Sequence, residues 1–175
     1  MEPIIILKNG DRQKLSKYQK ANNLPADKVA PHFSTQEMIN QDFGTYFHVS
    51  EYLLTVLELF RIRTNEPTIM NSVYRPDEQQ ASMHKKSNLA AKTSPHPEGM
   101  AGDVETKTEE ETRRKVAEFE KISKETGIKI RIGFKKYLKK EMTFIHVDVA
   151  PMYYAPGKAY HSVKHPWQWE LEARW

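Results

Sequence analysis

Cysteine is missing from all 175 residues, which removes disulfides and thiolate metal sites together and leaves His, Asp and Glu as the strong metal ligands open to this chain. Long apolar runs are missing too: none approaches the ~20 residues that cross a bilayer, so no membrane span is expected. The opening Met1-Glu2-Pro3-Ile4-Ile5-Ile6-Leu7-Lys8 has four consecutive apolar residues and an acid at position 2, without the basic and apolar regions of a secretory leader. The expectation is a protein that stays in the cytoplasm or leaves it by another route. A large charge excess is also lacking. A net charge of +4 and a pI near 9.1 suit an anionic surface, but the excess is small for this length. The densest basic cluster, Lys135-Lys136 with Lys139-Lys140, reads as a solvated loop first and an anion-binding rim second. A nucleic-acid binder would need a positive stripe with interleaved aromatics, which only the tail from Pro151 approaches, so no nucleic-acid partner is expected.

What is present is ordinary in bulk, with 38% hydrophobic and 29% charged residues, and the length predicts one domain over residues 1–175 with a real core. The first ~30 residues mix an Ile-rich run, an Asn9-Gly10 turn signal and a polar stretch, which predicts a small strand and a helix packed on the outside. Ser34 or Thr35 can cap a short helix with Glu37 in its first turn. After Ser50, Leu53, Val56, Leu57 and Phe60 recur at helical spacing, with Val49 placed for a hydrophobic staple. Residues 67–74 read as a buried strand, and Arg75-Pro76-Asp77 turns it into another short helix. Thr108 and Glu111 form a capping box for a helix through Val116, Phe119 and Ile122 that stops at Gly127. Ile128 to Ile132 and Thr143 to Val149 then alternate as neighbouring antiparallel strands. The predicted class is α+β: a central antiparallel sheet flanked by helices, with an ordered aromatic wrap after Pro151.

One stretch is not ordinary. Ser94-Pro95-His96-Pro97-Glu98-Gly99-Met100-Ala101-Gly102-Asp103 sets a histidine and a carboxylate seven residues apart. The prolines restrict the backbone around His96, and Gly99 and Gly102 let the chain return so that Asp103 can lie beside the ring. These are two corners of a metal site. The best third corner is His146, because alternation puts Phe144, His146 and Asp148 on one strand face and Ile145, Val147 and Val149 on the other. Two nitrogens and one oxygen make a zinc set that keeps a fourth position for water, which the metal activates for attack on a polarised carbonyl. Amide hydrolysis is the natural reaction. Arg75, at a strand end, is either a cation for a substrate carboxylate or oxyanion, or one half of a surface salt bridge. His32, His48, His84, His161 and His165 read as ordinary surface or core residues.

The motif S-x-H-x-x-G-x-A-x-D, met by Ser94, His96, Gly99, Ala101 and Asp103, resembles the zinc D-alanyl-D-alanine carboxypeptidase and L-alanyl-D-glutamate endopeptidase superfamily, whose fold the hedgehog signalling domain shares. Ser72-Val73-Tyr74-Arg75 is similar to that family's S-G-Y-R element with Val73 for the glycine, and Phe144-Ile145-His146-Val147-Asp148 is similar to its H-x-D ending in small phage and bacterial murein peptidases. The resemblance covers about residues 33–150. It implies the hedgehog/DD-peptidase fold and a zinc peptidase acting on peptidoglycan stem or cross-bridge peptides, endolysin-like in kind. It further implies His96, Asp103 and His146 as ligands and Arg75 as the substrate-polarising cation. Many members carry a general base two or three residues before the last ligand, where this chain has Phe144 and Thr143. The candidates to replace it are Glu141 and Asp148, and Asp148 can equally be a partner that orients a ligand. The alternative function is a non-catalytic, zinc-stabilised binding or assembly module, for example in a phage particle.

Overall fold

The computed structural model describes residues 2–39, 44–86, 94–134 and 144–154. Nine short strands and five helices make a mixed α+β architecture within them. The site rests on a four-stranded antiparallel sheet in the order β6-β7-β9-β8, formed by Met70–Ser72 (β6), Ala101–Glu105 (β7), Phe144–Asp148 (β9) and Arg131–Gly133 (β8). Its apolar face carries Val104, Ile132, Ile145 and Val147, all buried in the common core. Against that core lie α3 (Glu51–Thr64), through Leu53, Leu57 and Phe60, and α5 (Glu109–Thr126), through Val116, Phe119 and Ile122.

Local chemistry explains where these helices begin and stop. The Ser50 hydroxyl accepts the Leu53 N–H at 3.3 Å to cap α3, and Asn65, at φ 51°, ends it in the left-handed region. Thr108 accepts the Glu111 N–H at 3.1 Å to cap α5, which Gly127 closes at φ 72°. The expected reciprocal bond is displaced by one residue: the Glu111 carboxylate takes the Lys107 N–H at 2.8 Å rather than that of Thr108, and also pairs with Lys115. A full capping box does form at α2 (Thr35–Met38), between Ser34 and Glu37. The Phe60 and Phe119 rings stack at 4.3 Å where α3 meets α5. Phe119→Ala is expected to cost about 3–5 kcal/mol, the usual loss for a fully buried phenylalanine. Urea unfolding would show this as a lower midpoint at unchanged slope.

The structure corrects three expectations. The N-terminal segment is not an outer layer. Ile4–Ile6 (β1) and Arg12–Lys14 (β2) form a hairpin and Leu15–Ala21 (α1) follows, with Ile5, Ile6, Leu15 and Tyr18 inside the core. β1 also pairs in parallel with β5 (His48–Ser50), so the expected central antiparallel sheet is joined by two further sheets, one mixed (β2-β1-β5) and one two-stranded, Lys28–Ala30 (β3) with Phe33–Ser34 (β4). The strand expected over residues 67–74 shrinks to β6, and the next helix, α4, runs Asp77–Lys86. Finally, the strand expected over Ile128–Ile132 is confined to Arg131–Gly133; Lys129 is exposed, as half-burial predicts, but Arg131 is only 4% exposed. No described helix is long and apolar enough to cross a membrane. The Lys135–Lys140 cluster, Glu141 and the tail histidines His161 and His165 lie outside the described residues.

Candidate metal centre

The motif builds its bend before Gly99 and its strand after it. The Gly99 N–H donates to the His96 carbonyl at 2.9 Å and the Met100 N–H to that of Pro95 at 3.0 Å, so the chain turns tightly under the imidazole. Gly99 has φ 68°, and a Cβ there would lie 2.3 Å from the His48 carbonyl oxygen. Gly102 does not share in the turn, contrary to expectation. It sits inside β7, where a Cβ would meet the flexible Met70 side chain at 2.6 Å. Asp103 is therefore presented by a strand, directly across from His146 in the antiparallel register, and Ala101 lies across from Asp148. Cross-strand partners share a face, which is why residues 43 positions apart meet here.

Asp103 Oδ1 is the point of convergence. It lies 3.2 Å from His96 Nε2 and 3.0 Å from His146 Nδ1. One ligand atom from each of His96, Asp103 and His146 falls within 4.8 Å of the others, and all three residues are buried, so this group can hold a metal ion. The nitrogen turned away from the centre has a partner at each histidine. His96 Nδ1 faces the Val73 carbonyl at 2.6 Å, and His146 Nε2 lies 3.4 Å from Asp148 Oδ2. With the outer nitrogen held by a carbonyl at His96 and facing a carboxylate at His146, the inner nitrogen offers its lone pair, as in metal-ligating histidines. The residues therefore fit a divalent ion with a mixed nitrogen and oxygen preference.

Two buried ion pairs flank the triad. Arg75, 8% exposed, donates from Nη2 to Asp103 Oδ2 at 2.9 Å and to Ser72 Oγ at 3.3 Å. The surface salt bridge considered from the sequence is thus a buried one, made to the Asp103 carboxylate itself. Arg131 donates from Nε to both Asp148 oxygens, at 2.9 and 3.0 Å. Asp148 Oδ1 also accepts the Ala150 N–H at 3.1 Å, and the carboxylate is fully buried. Asp148 lies behind His146, on the nitrogen opposite Asp103. Sequence reading missed Arg131; a cation facing two acidic or histidine positions of the next strand was the available signal.

The charges follow from these contacts. Burial is the largest influence on His96 and holds its imidazole below the ordinary 6.5, with Asp103 pulling upward and Arg75 downward. Burial lowers His146 as well, but hydrogen bonds to Asp103 and Asp148 outweigh it and leave that ring above 6.5. Burial raises Asp103, yet His96 and His146 hold it well below 3.8; Asp148 is likewise lowered, by Arg131 and His146 against burial. At neutral pH the carboxylates are ionised and His96 is neutral, and acid reaches His146 before His96. Of the other described histidines, His32 pairs with Glu58 at the surface and His48 meets the Tyr46 hydroxyl at 2.5 Å.

No family model, curated protein or solved structure matches the chain.

Proposed function

We propose that the chain is a zinc-dependent peptidase of the hedgehog/DD-peptidase fold, hydrolysing peptide bonds in peptidoglycan stem or cross-bridge peptides. The observation that carries this reading is the convergence of His96, Asp103 and His146 within 4.8 Å, two of them from the S-x-H-x-x-G-x-A-x-D motif and one from the strand paired to it. Zinc in that group would supply a Lewis acid for the scissile carbonyl and lower the pKa of a water toward ~7. The residues divide the remaining work. His96 and His146 offer Nε2 and Nδ1, each turned by the acceptor behind it. Arg75, anchored by Ser72 and Asp103, would steady negative charge that develops on the substrate oxygen. Asp148 is engaged by Arg131 and His146, and Glu141, the other candidate for general base, lies outside the described residues.

A second reading, a non-catalytic zinc-stabilised binding or assembly module, draws on the burial of the ligands: His96 and His146 are 1% and 2% exposed, which suits an ion held for stability. Digestion of purified murein with and without chelator, followed by mass measurement of released peptides, separates the two. The first expects chelator-sensitive release of defined peptides. The second expects none, together with a lower melting temperature on chelation. Arg75→Ala is expected to reduce kcat by ~100-fold or more. Because its guanidinium also grips Asp103, the same change should weaken zinc by ~10-fold. An unchanged kcat would remove Arg75 from the reaction.

A further inference from the structure

We propose that Arg131 is a positioning residue for the metal centre: by clamping the Asp148 carboxylate it fixes the His146 ring with Nδ1 toward the ion. This rests on the metal site proposed above and extends it to a residue outside the motif. Arg131 and Asp148 are cross-strand partners in β8 and β9, so the guanidinium arrives on the same sheet face as His146 and Asp103. Its Nε reaches both carboxylate oxygens, at 2.9 and 3.0 Å, and the Ala150 N–H holds Oδ1 from another side. A carboxylate gripped in this way cannot rotate, and its Oδ2 is left 3.4 Å from His146 Nε2. An imidazole whose Nε2–H faces a fixed anion keeps Nδ1 as its lone-pair nitrogen, and Nδ1 is the atom that meets Asp103 Oδ1 at 3.0 Å.

Burial makes the cation necessary. Asp148 is fully buried, and an uncompensated carboxylate there would carry a large desolvation cost. Arg131, itself 4% exposed, supplies the opposite charge and at the same time the geometry. The competing view is that the pair only ties β8 to β9. That view expects stability, and not metal affinity, to respond when the pair is removed.

Two variants distinguish these roles, with Zn2+ affinity and the visible absorption of the Co2+-loaded protein as readouts. Arg131→Met should weaken Zn2+ by ~10–100-fold and shift the Co2+ bands, and Arg131→Lys should restore part of both, since a lysine supplies the charge without the fork. A lone buried charge can unfold a protein, so the second variant replaces both partners, Arg131→Met with Asp148→Leu. Swapping a buried ion pair for apolar residues is commonly neutral for folding. A folded double variant with Zn2+ affinity and Co2+ bands like those of the parent overturns the proposal; a folded double variant with the same loss as Arg131→Met supports it. A parent protein that takes up neither metal overturns it as well. Murein hydrolysis is not among the readouts, so failure of the peptidase reading would be seen separately, in the digestion experiment.

Discussion

Purified His146→Ala is expected to hold no stoichiometric zinc, and His96→Ala likewise. Four-ligand structural zinc sites supply ~10–16 kcal/mol, so one ligand accounts for roughly 3 kcal/mol and its loss for a ~100-fold fall in affinity or more. Here the loss is compounded. Asp103 Oδ1 would keep a single nitrogen neighbour within the triad, and Asp148 would lose the imidazole it faces. Both histidines are almost completely buried, so removing either leaves a space inside the protein, and circular dichroism should accompany the metal analysis to establish that the variant is folded. Stoichiometric zinc in a folded variant of either kind would mean that the ion, if present, sits elsewhere.

Gly99→Ala should be nearly as damaging while touching no ligand. The added Cβ would fall 2.3 Å from the His48 carbonyl oxygen and 2.7 Å from the Val49 nitrogen, both backbone atoms of β5, and φ 68° is strained for any residue with a side chain. The Ser50 N–H donates to the Gly99 carbonyl at 2.7 Å, so relief by moving this segment would break a backbone bond near the start of α3. We expect a loss of roughly 3 kcal/mol or more, given the usual ~1–3 kcal/mol for strained backbone with overpacking added. Weaker zinc binding should accompany it, because the same turn carries His96. Gly102→Ala makes the contrast: its obstacle is the end of the Met70 side chain at 2.6 Å, which can swing aside. A Gly99→Ala protein as stable as the parent in urea would show that the turn is not held against β5 as described.

Strongly local signals were legible in the sequence. The alternation in Phe144–Asp148 put His146 and Asp148 on one face and Ile145 and Val147 on the other, because side chains of a strand alternate whatever their partners are. The Thr108 cap and the Gly127 stop were readable because a cap satisfies groups within a few residues of itself. Length and order were less legible where strands are short. Residues 67–74 gave three residues of strand, and the Ile-rich start, with a turn signal after it, looked like a separate layer.

What the sequence determined by itself was the set of groups able to take part: no thiols, a His and an Asp tied into one turn-and-strand motif, and a second histidine on an alternating strand. Which groups meet was decided by the tertiary structure. Arg75 reaches Asp103 across 28 positions, Arg131 reaches Asp148 across 17, and β1 crosses to β5 in parallel. Such pairings depend on strand register and on a shared core, and neither is written in any short stretch of chain. The low dielectric of that interior is what makes each buried carboxylate require its own arginine.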